Sequence, residues 1–216
     1  MAKLDFLGAP EGLKGKPYQI YRDWLEFNFY KDVCSYCLLS FPKSLQIEHH
    51  EPQKYAKDRV NDPTNLLLGC AWCNSGKSDY HPNHVERRRL HKDNSGHSVI
   101  DIREDDFSEL FEISENGEIL PKDGPQRARA VFNIAKLLRL DLPKYAEIRK
   151  RCLSYASACD GLIASNTTKS KAALDILVAE CAERYLFYEA FDIPLSDALK
   201  GLINNYLKKN KPQFVA

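Results

Sequence analysis

Two Cys-x-x-Cys pairs constrain this chain more than any other feature. Cys34-Ser-Tyr-Cys37 and Cys70-Ala-Trp-Cys73 are separated by residues 38–69, so one shared ion would close a long loop. Each pair can offer two thiolates from a tight turn, and two pairs complete the tetrahedral site that zinc favours. Such binding contributes roughly 10–16 kcal/mol of apparent free energy in small zinc domains. The spacing predicts a structural Zn²⁺ site, with a one-iron or iron–sulfur site and a redox dithiol as the alternatives.

Composition limits the class of protein and the compartment. The 216 residues are 44% hydrophobic and 28% charged, which is typical of a globular protein, and the formal net charge is only +1. A nucleic-acid-binding surface must therefore be a local basic patch. The N-terminus lacks a signal-peptide pattern, and no stretch approaches the ~20 apolar residues that cross a bilayer. We expect a soluble cytoplasmic protein with no membrane partner, whose three remaining cysteines are buried small hydrophobes: Cys152, Cys159 and Cys181.

Hydrophobic periodicity predicts a mostly helical α+β fold. Short strands are predicted at 44–47 and 65–68, on either side of a polar loop, and a helix is predicted to begin near Cys73 or Asn74. The Asn116-Gly117 pair predicts a hairpin turn. Helical patterns cover 18–30, 126–140, 143–157, 171–191 and a last segment that starts near Pro194 or Ser196 and runs to about Lys208.

These patterns predict three regions. Residues 1–33 form a leader and a helix, residues 34–98 form a small zinc-stapled unit, and residues 99–216 form a hairpin and a helical bundle. We expect the helical region to recognise a target or a partner.

The residues between the cysteine pairs carry the chemistry. Ile47-Glu48-His49-His50-Glu51-Pro52 lies on and just after the first predicted strand, and Asn74 directly follows the last cysteine. If both pairs bind one ion, Asn74 is brought near Glu48 and His49. A carboxylate and an amide oxygen are hard ligands suited to Mg²⁺ or Mn²⁺. A neighbouring imidazole can take the proton from an attacking water. These groups are the ones that metal-dependent phosphodiester hydrolysis needs.

The combined motif resembles the HNH (His-Me finger) endonucleases. The likeness covers about Cys34–Lys77, as Cys-x-x-Cys, Ile-Glu-His-x-x-Pro, Asn-Leu and Cys-x-x-Cys-Asn-x-x-Lys. The resemblance implies a ββα-metal fold, His49 as the general base, and Glu48 and Asn74 as ligands of a catalytic Mg²⁺ or Mn²⁺. It also implies that Asn65 braces the loop and orients the base. Many members have Asp at the position of Glu48 and His at the position of Asn74, but both changes keep a ligand.

A narrower resemblance concerns the biological role. The Ile-Glu-His form, the chain length and the helical tail look like the HNH proteins of bacterial anti-phage defence, including the Septu type. That resemblance implies a separate ATPase subunit as partner and an effector nuclease that cleaves DNA. The alternatives are a non-catalytic zinc module that binds nucleic acid or protein, and an RNase that uses the same site.

Basic residues after the second pair are the predicted contacts to the DNA backbone. Lys77 lies near the start of a predicted helix, where backbone N–H groups also favour phosphate. The densest basic run follows the zinc-stapled unit, where a DNA backbone would need neutralising: Arg87, Arg88 and Arg89.

Overall fold

The computed structural model describes residues 8–28, 32–41, 44–84, 96–165 and 170–210. Within these ranges the fold is α+β and mostly helical, as predicted, with two small two-stranded sheets. Among the same residues, no helix combines the length and the apolar character that a bilayer crossing requires.

The first sheet is the frame of the zinc-stapled unit. Strands β1 (Leu45–His49) and β2 (Leu66–Cys70) pair antiparallel, with Leu45 opposite Cys70 and His49 opposite Leu66. Every residue of β2 is buried, so this strand lies in the core. The pairing carries Cys70 back to the first residue of β1 and leaves His49 at the far end, where the polar loop of residues 50–65 begins.

Helix α2 (Ala71–Lys77) follows β2 without a loop. It begins two or three residues before the predicted start, because Cys70 caps it by accepting a hydrogen bond from the Cys73 N–H. Gly76 lets α2 approach the helical region closely, since a Cβ there would lie 2.7 Å from the Leu137 carbonyl oxygen. Upstream, the helix predicted at 18–30 is a 3₁₀ turn (Tyr18–Tyr21) followed by α1 (Arg22–Asn28).

The second sheet is a short hairpin that packs on the bundle. A helical turn, α3 (Phe107–Leu110), precedes β3 (Phe111–Ile113), which pairs antiparallel with β4 (Ile119–Pro121). The predicted Asn-Gly turn lies in the connecting loop, and Gly117 adopts φ +77° there.

Helices form most of the second half. Helix α4 (Arg127–Val131) continues as a π-helical segment (Phe132–Leu137), whereas the sequence predicted one helix over 126–140. Helix α5 (Pro143–Ser165) extends well past the predicted end at 157. The helix predicted at 171–191 is two helices, α6 (Ser170–Glu183) and α7 (Tyr185–Ala190), and α8 (Asp197–Asn210) completes the described bundle.

The helix predicted at 171–191 breaks at one residue. Arg184, at φ −113° and ψ 13°, lies outside the helical region and separates α6 from α7. The apolar pattern continues across the break because both pieces are buried against the same core, so it could not reveal the break. The three cysteines outside the pairs are buried as predicted.

Gly117 provides a test of how the hairpin docks on α5. A side chain here would adopt an unfavourable positive φ, and its Cβ would lie 2.6 Å from the backbone nitrogen of Lys150. We predict that Gly117→Ala lowers the free energy of unfolding by about 2–4 kcal/mol, because strain and collision add. Urea denaturation followed by circular dichroism measures the change.

Gly161→Ala is the matched control, because Gly161 lies inside α5 with nothing within 4 Å of the added Cβ. We expect this variant to gain about 0.5–1 kcal/mol from helix propensity. Equal stability of the two variants would contradict the docking of the hairpin on α5.

Candidate active site and zinc centre

The four cysteines of the two pairs form one cluster. The sulfur atoms of Cys34, Cys37, Cys70 and Cys73 lie within 4.8 Å of one another, and all four residues are buried. Tetrahedral zinc, with Zn–S bonds of about 2.3 Å, places sulfur atoms about 3.8 Å apart. The geometry of the cluster and its all-thiolate donor set therefore fit a zinc ion, in agreement with the prediction from the spacing.

Backbone N–H groups orient the sulfur atoms. The Cys70 N–H donates to Cys34 Sγ at 3.3 Å and the Cys73 N–H donates to Cys70 Sγ at 3.5 Å. In the first pair, the Leu38 N–H donates to the Cys34 carbonyl, and Leu38 takes a positive φ of 57° to close the turn. The two bonds that end on sulfur favour thiolate over thiol, because they bring positive partial charge to Cys34 Sγ and Cys70 Sγ.

Burial raises the pKa of the Cys37 and Cys73 thiols well above the ordinary value, whereas hydrogen bonds from the other cysteines, Cys34 first, lower the pKa of Cys70. Packed, buried thiols retain protons unless a cation compensates their charge, so metal binding displaces protons and contributes to folding.

The zinc centre also contacts the helical region. The Tyr145 hydroxyl, on α5, lies 3.5 Å from Cys73 Sγ and 3.9 Å from Cys70 Sγ, and its ring packs edge-on against Trp72. The helical region is thus attached to the cysteine cluster itself. Tyr145 was not identified from the sequence, where nothing distinguishes it from other aromatic residues on a helix.

His49 is held in one tautomer. Its Nε2 lies 2.9 Å from the Val60 carbonyl oxygen, and its Nδ1 lies 3.0 Å from the Gln53 amide nitrogen. A carbonyl can only accept and an amide N–H can only donate, so Nε2 carries the proton and Nδ1 presents a lone pair. The Tyr18 ring packs edge-on against the imidazole at 4.8 Å, and His49 is 6% exposed. Burial lowers the pKa of His49, which favours the neutral form that can accept a proton.

Asn65 ties the loop of residues 50–65 together. Its Oδ1 accepts from the Glu51 N–H at 2.7 Å, and its Nδ2 donates to the carbonyls of Glu51 at 3.1 Å and Arg59 at 3.3 Å. Arg59 immediately precedes Val60, whose carbonyl orients His49. Asn65 is 1% exposed, so these bonds are protected from water. These bonds hold the loop together, and the role of Asn65 in orienting a catalytic base stays a prediction of the resemblance.

Glu48 and Asn74 lie over the same face of β1. Helix α2 crosses the strand so that Asn74 Nδ2 donates to Gln46 Oε1 at 2.9 Å, while Lys77 Nζ lies 2.6 Å from Glu48 Oε1. Gln46 and Glu48 are two residues apart and therefore point to the same side of the strand. Two hard oxygen donors are thus brought to one side of the sheet. Burial raises the pKa of Glu48, and the Lys77 charge opposes that shift.

The structure corrects the prediction that Lys77 contacts a DNA phosphate. Lys77 is 1% exposed, and its ammonium donates to Glu48 and to the His49 carbonyl, the latter at 2.8 Å. The Lys77 side chain extends from the last turn of α2 into the protein interior, whereas the prediction placed it at the start of the helix and on the surface. The i, i+3 spacing of Asn74 and Lys77 could have revealed this, because it places both on the face of α2 that crosses β1.

The other predicted DNA contacts cannot be placed. Arg87, Arg88 and Arg89 lie outside the described residues. Sequence analysis also missed Gln53 and the Val60 carbonyl. No pattern marks either one, since the first is a polar loop residue and the second acts through its backbone.

Two further groups of histidines lie near the site. His50 Nε2 is 3.8 Å from Asp101 Oδ2. His84 stacks on Tyr55, with His81 beside both rings.

Removing one zinc ligand tests the cluster. We predict that Cys70→Ser loses the zinc and unfolds the unit around β1 and β2. The loss of one of the four thiolate ligands weakens metal binding and removes most of the stabilisation that the metal contributes. Metal content by atomic absorption and thermal melting by circular dichroism measure the two effects.

Cys152→Ala is the control, since Cys152 is buried in α5 outside the cluster. It is expected to keep its zinc. Full metal content and an unchanged melting transition in Cys70→Ser would disprove the structural-zinc assignment.

Comparison with known proteins agrees with this geometry. No curated protein matches the chain significantly. The family model described as "HNH endonuclease" matches residues 34–80, which span both cysteine pairs, β1, β2 and α2. Residues 34–80 are thus similar to an HNH endonuclease domain.

Proposed function

We propose that the chain is a metal-dependent endonuclease that hydrolyses phosphodiester bonds in DNA, with zinc in a structural role. The observation that carries this proposal is the tautomer of His49, whose unprotonated Nδ1 lies inside a segment that matches the HNH family and accepts from the Gln53 amide in the described conformation. The position of His49 within the matched segment supports the catalytic reading over that of a core histidine, which would also have both ring nitrogens hydrogen-bonded.

His49 is proposed to take a proton from the attacking water at Nδ1. The imidazolium that forms keeps its Nε2–H bond to the Val60 carbonyl, which becomes stronger as the ring gains charge. Asn65 keeps that carbonyl in place through Arg59. In the described conformation the Gln53 amide lies against Nδ1, so the attacking water takes the position of this amide during the reaction.

Glu48 and Asn74 are the residues that would hold Mg²⁺ or Mn²⁺. The assignment is supported by two hard oxygen donors on the same side of β1, and in the described conformation the Lys77 ammonium pairs with the Glu48 carboxylate. When bound, such an ion stabilises negative charge on the phosphate and on the departing 3′ oxygen.

DNA is proposed as the substrate because HNH endonucleases are the matching family. An RNase with the same site would share all of the residues above. Side-by-side digestion of duplex DNA, single-stranded DNA and RNA at equal nucleotide concentration distinguishes the two. Faster cleavage of RNA than of either DNA would overturn this part of the proposal.

The anti-phage role and the ATPase partner stay predictions of the narrower resemblance. Co-purification of the chain with the product of an adjacent ATPase gene tests both. Absence of such a gene and of any phage-resistance phenotype would remove that expectation without affecting the proposed chemistry.

Replacing the base tests the central assignment. We expect His49→Ala to lower the rate of plasmid cleavage in Mg²⁺ or Mn²⁺ by about 10²–10⁴-fold, the usual contribution of a general base. Zinc content and melting are measured in parallel. His97→Ala is the control, because His97 packs against Phe132 in the helical region. Undiminished cleavage by His49→Ala at full zinc content would refute the role of His49.

Asn65 tests whether the base must be positioned. Asn65→Ala removes three hydrogen bonds from the loop and is expected to lower kcat by about 10- to 100-fold with little change in KM, because the base remains but loses its orientation. Thr64→Ala, next to Asn65 and at the loop surface, is the control. An unchanged kcat in Asn65→Ala would show that the loop does not orient His49.

A further inference from the structure

Glu48 and Lys77 form a buried ion pair inside the candidate site. Their side chains are 8% and 1% exposed, and the two charged atoms are 2.6 Å apart. Lysine is rarely buried to this extent, and taking both charges out of water costs more than an apolar pair of similar volume would. The pair is therefore poorly explained by stability alone.

The position of the ammonium is specific to the site. Besides Glu48, it donates to the His49 carbonyl, so it joins the backbone of the proposed base to the carboxylate of the proposed metal ligand. Asn74 lies one turn earlier on the same helix and over the same face of β1. Lys77 thus places a fixed positive charge beside the oxygens that would hold a divalent cation.

We infer that Lys77 lowers the affinity of this site for its divalent cation, because its ammonium competes for the Glu48 carboxylate. This inference rests on the proposed function. Two cations beside one carboxylate repel each other, and the repulsion is little screened in a buried site. The ammonium therefore weakens cation binding at Glu48.

A purely structural lysine would behave differently. Replacing it would disturb Glu48 and weaken cation binding or leave it unchanged. Removing an opposing charge strengthens cation binding instead. An increase or a decrease in cation affinity therefore separates the two roles.

Mn²⁺ titration of the zinc-loaded protein, with free Mn²⁺ followed by electron paramagnetic resonance, measures that change in affinity. We expect Lys77→Met to bind Mn²⁺ at least about tenfold more tightly than the wild type once Glu48 is ionised, because a buried like charge is removed. Loss of the Lys77 charge also raises the pKa of Glu48, so the titrations are repeated at increasing pH and the affinities are compared where each has reached its plateau. Lys77→Gln is the second variant if Lys77→Met fails to fold, because its uncharged amide keeps a hydrogen-bond donor at this position. Lys77→Gln is expected to bind more tightly as well.

Two controls define the site and the charge effect. Glu48→Gln is expected to weaken Mn²⁺ binding strongly, which locates the bound ion. Lys54→Met removes an exposed lysine that pairs with Asp79 at 3.8 Å, and is expected to leave the affinity within about twofold of the wild type because water and salt screen that charge.

The outcomes separate this inference from the proposed function. If Mn²⁺ binds the wild type and Glu48→Gln weakens it, but the folded Lys77 variants bind no more tightly, Lys77 does not lower the affinity and the nuclease proposal is untouched. If neither the wild type nor the Lys77 variants bind Mn²⁺, the metal-ligand assignment and the inference both fail.

Discussion

The four-cysteine cluster is the constraint on which the rest of the N-terminal unit depends. It joins the turn at Cys34–Cys37 to the junction of β2 and α2, two places far apart in sequence. Because β2 then pairs with β1, the same closure decides where His49 and Glu48 lie. Tyr145 attaches the helical region to the same sulfur atoms. Loss of the metal would thus release both the site and its attachment to the bundle.

Two layers of hydrogen bonds turn this frame into a candidate active site. In the outer layer, Asn65 fixes the loop that carries the Val60 carbonyl. In the inner layer, that carbonyl fixes the proton on Nε2 of His49 and leaves Nδ1 as the acceptor. These bonds lie outside the cysteine cluster, yet both layers depend on the pairing of β1 with β2, which ends at Cys70. His49 is thus oriented by its neighbours in the described conformation.

The described conformation has partners on each reactive group. Gln53 lies against Nδ1 of His49, and Lys77 lies against the Glu48 carboxylate. Both contacts are polar. In the proposed reaction a water molecule and a cation would exchange with these partners.

Local patterns in the sequence determined the zinc ligands, the two strands, the helical second half and the identity of the residues that meet at the end of β1. These features follow from residue type and short-range spacing, which act within a few residues. Only the tertiary structure decided the tautomer of His49, the inward direction of Lys77 and the break of the predicted helix at Arg184. Each of these depends on groups distant in sequence, or on a backbone carbonyl that every residue carries, so no side-chain pattern could encode it.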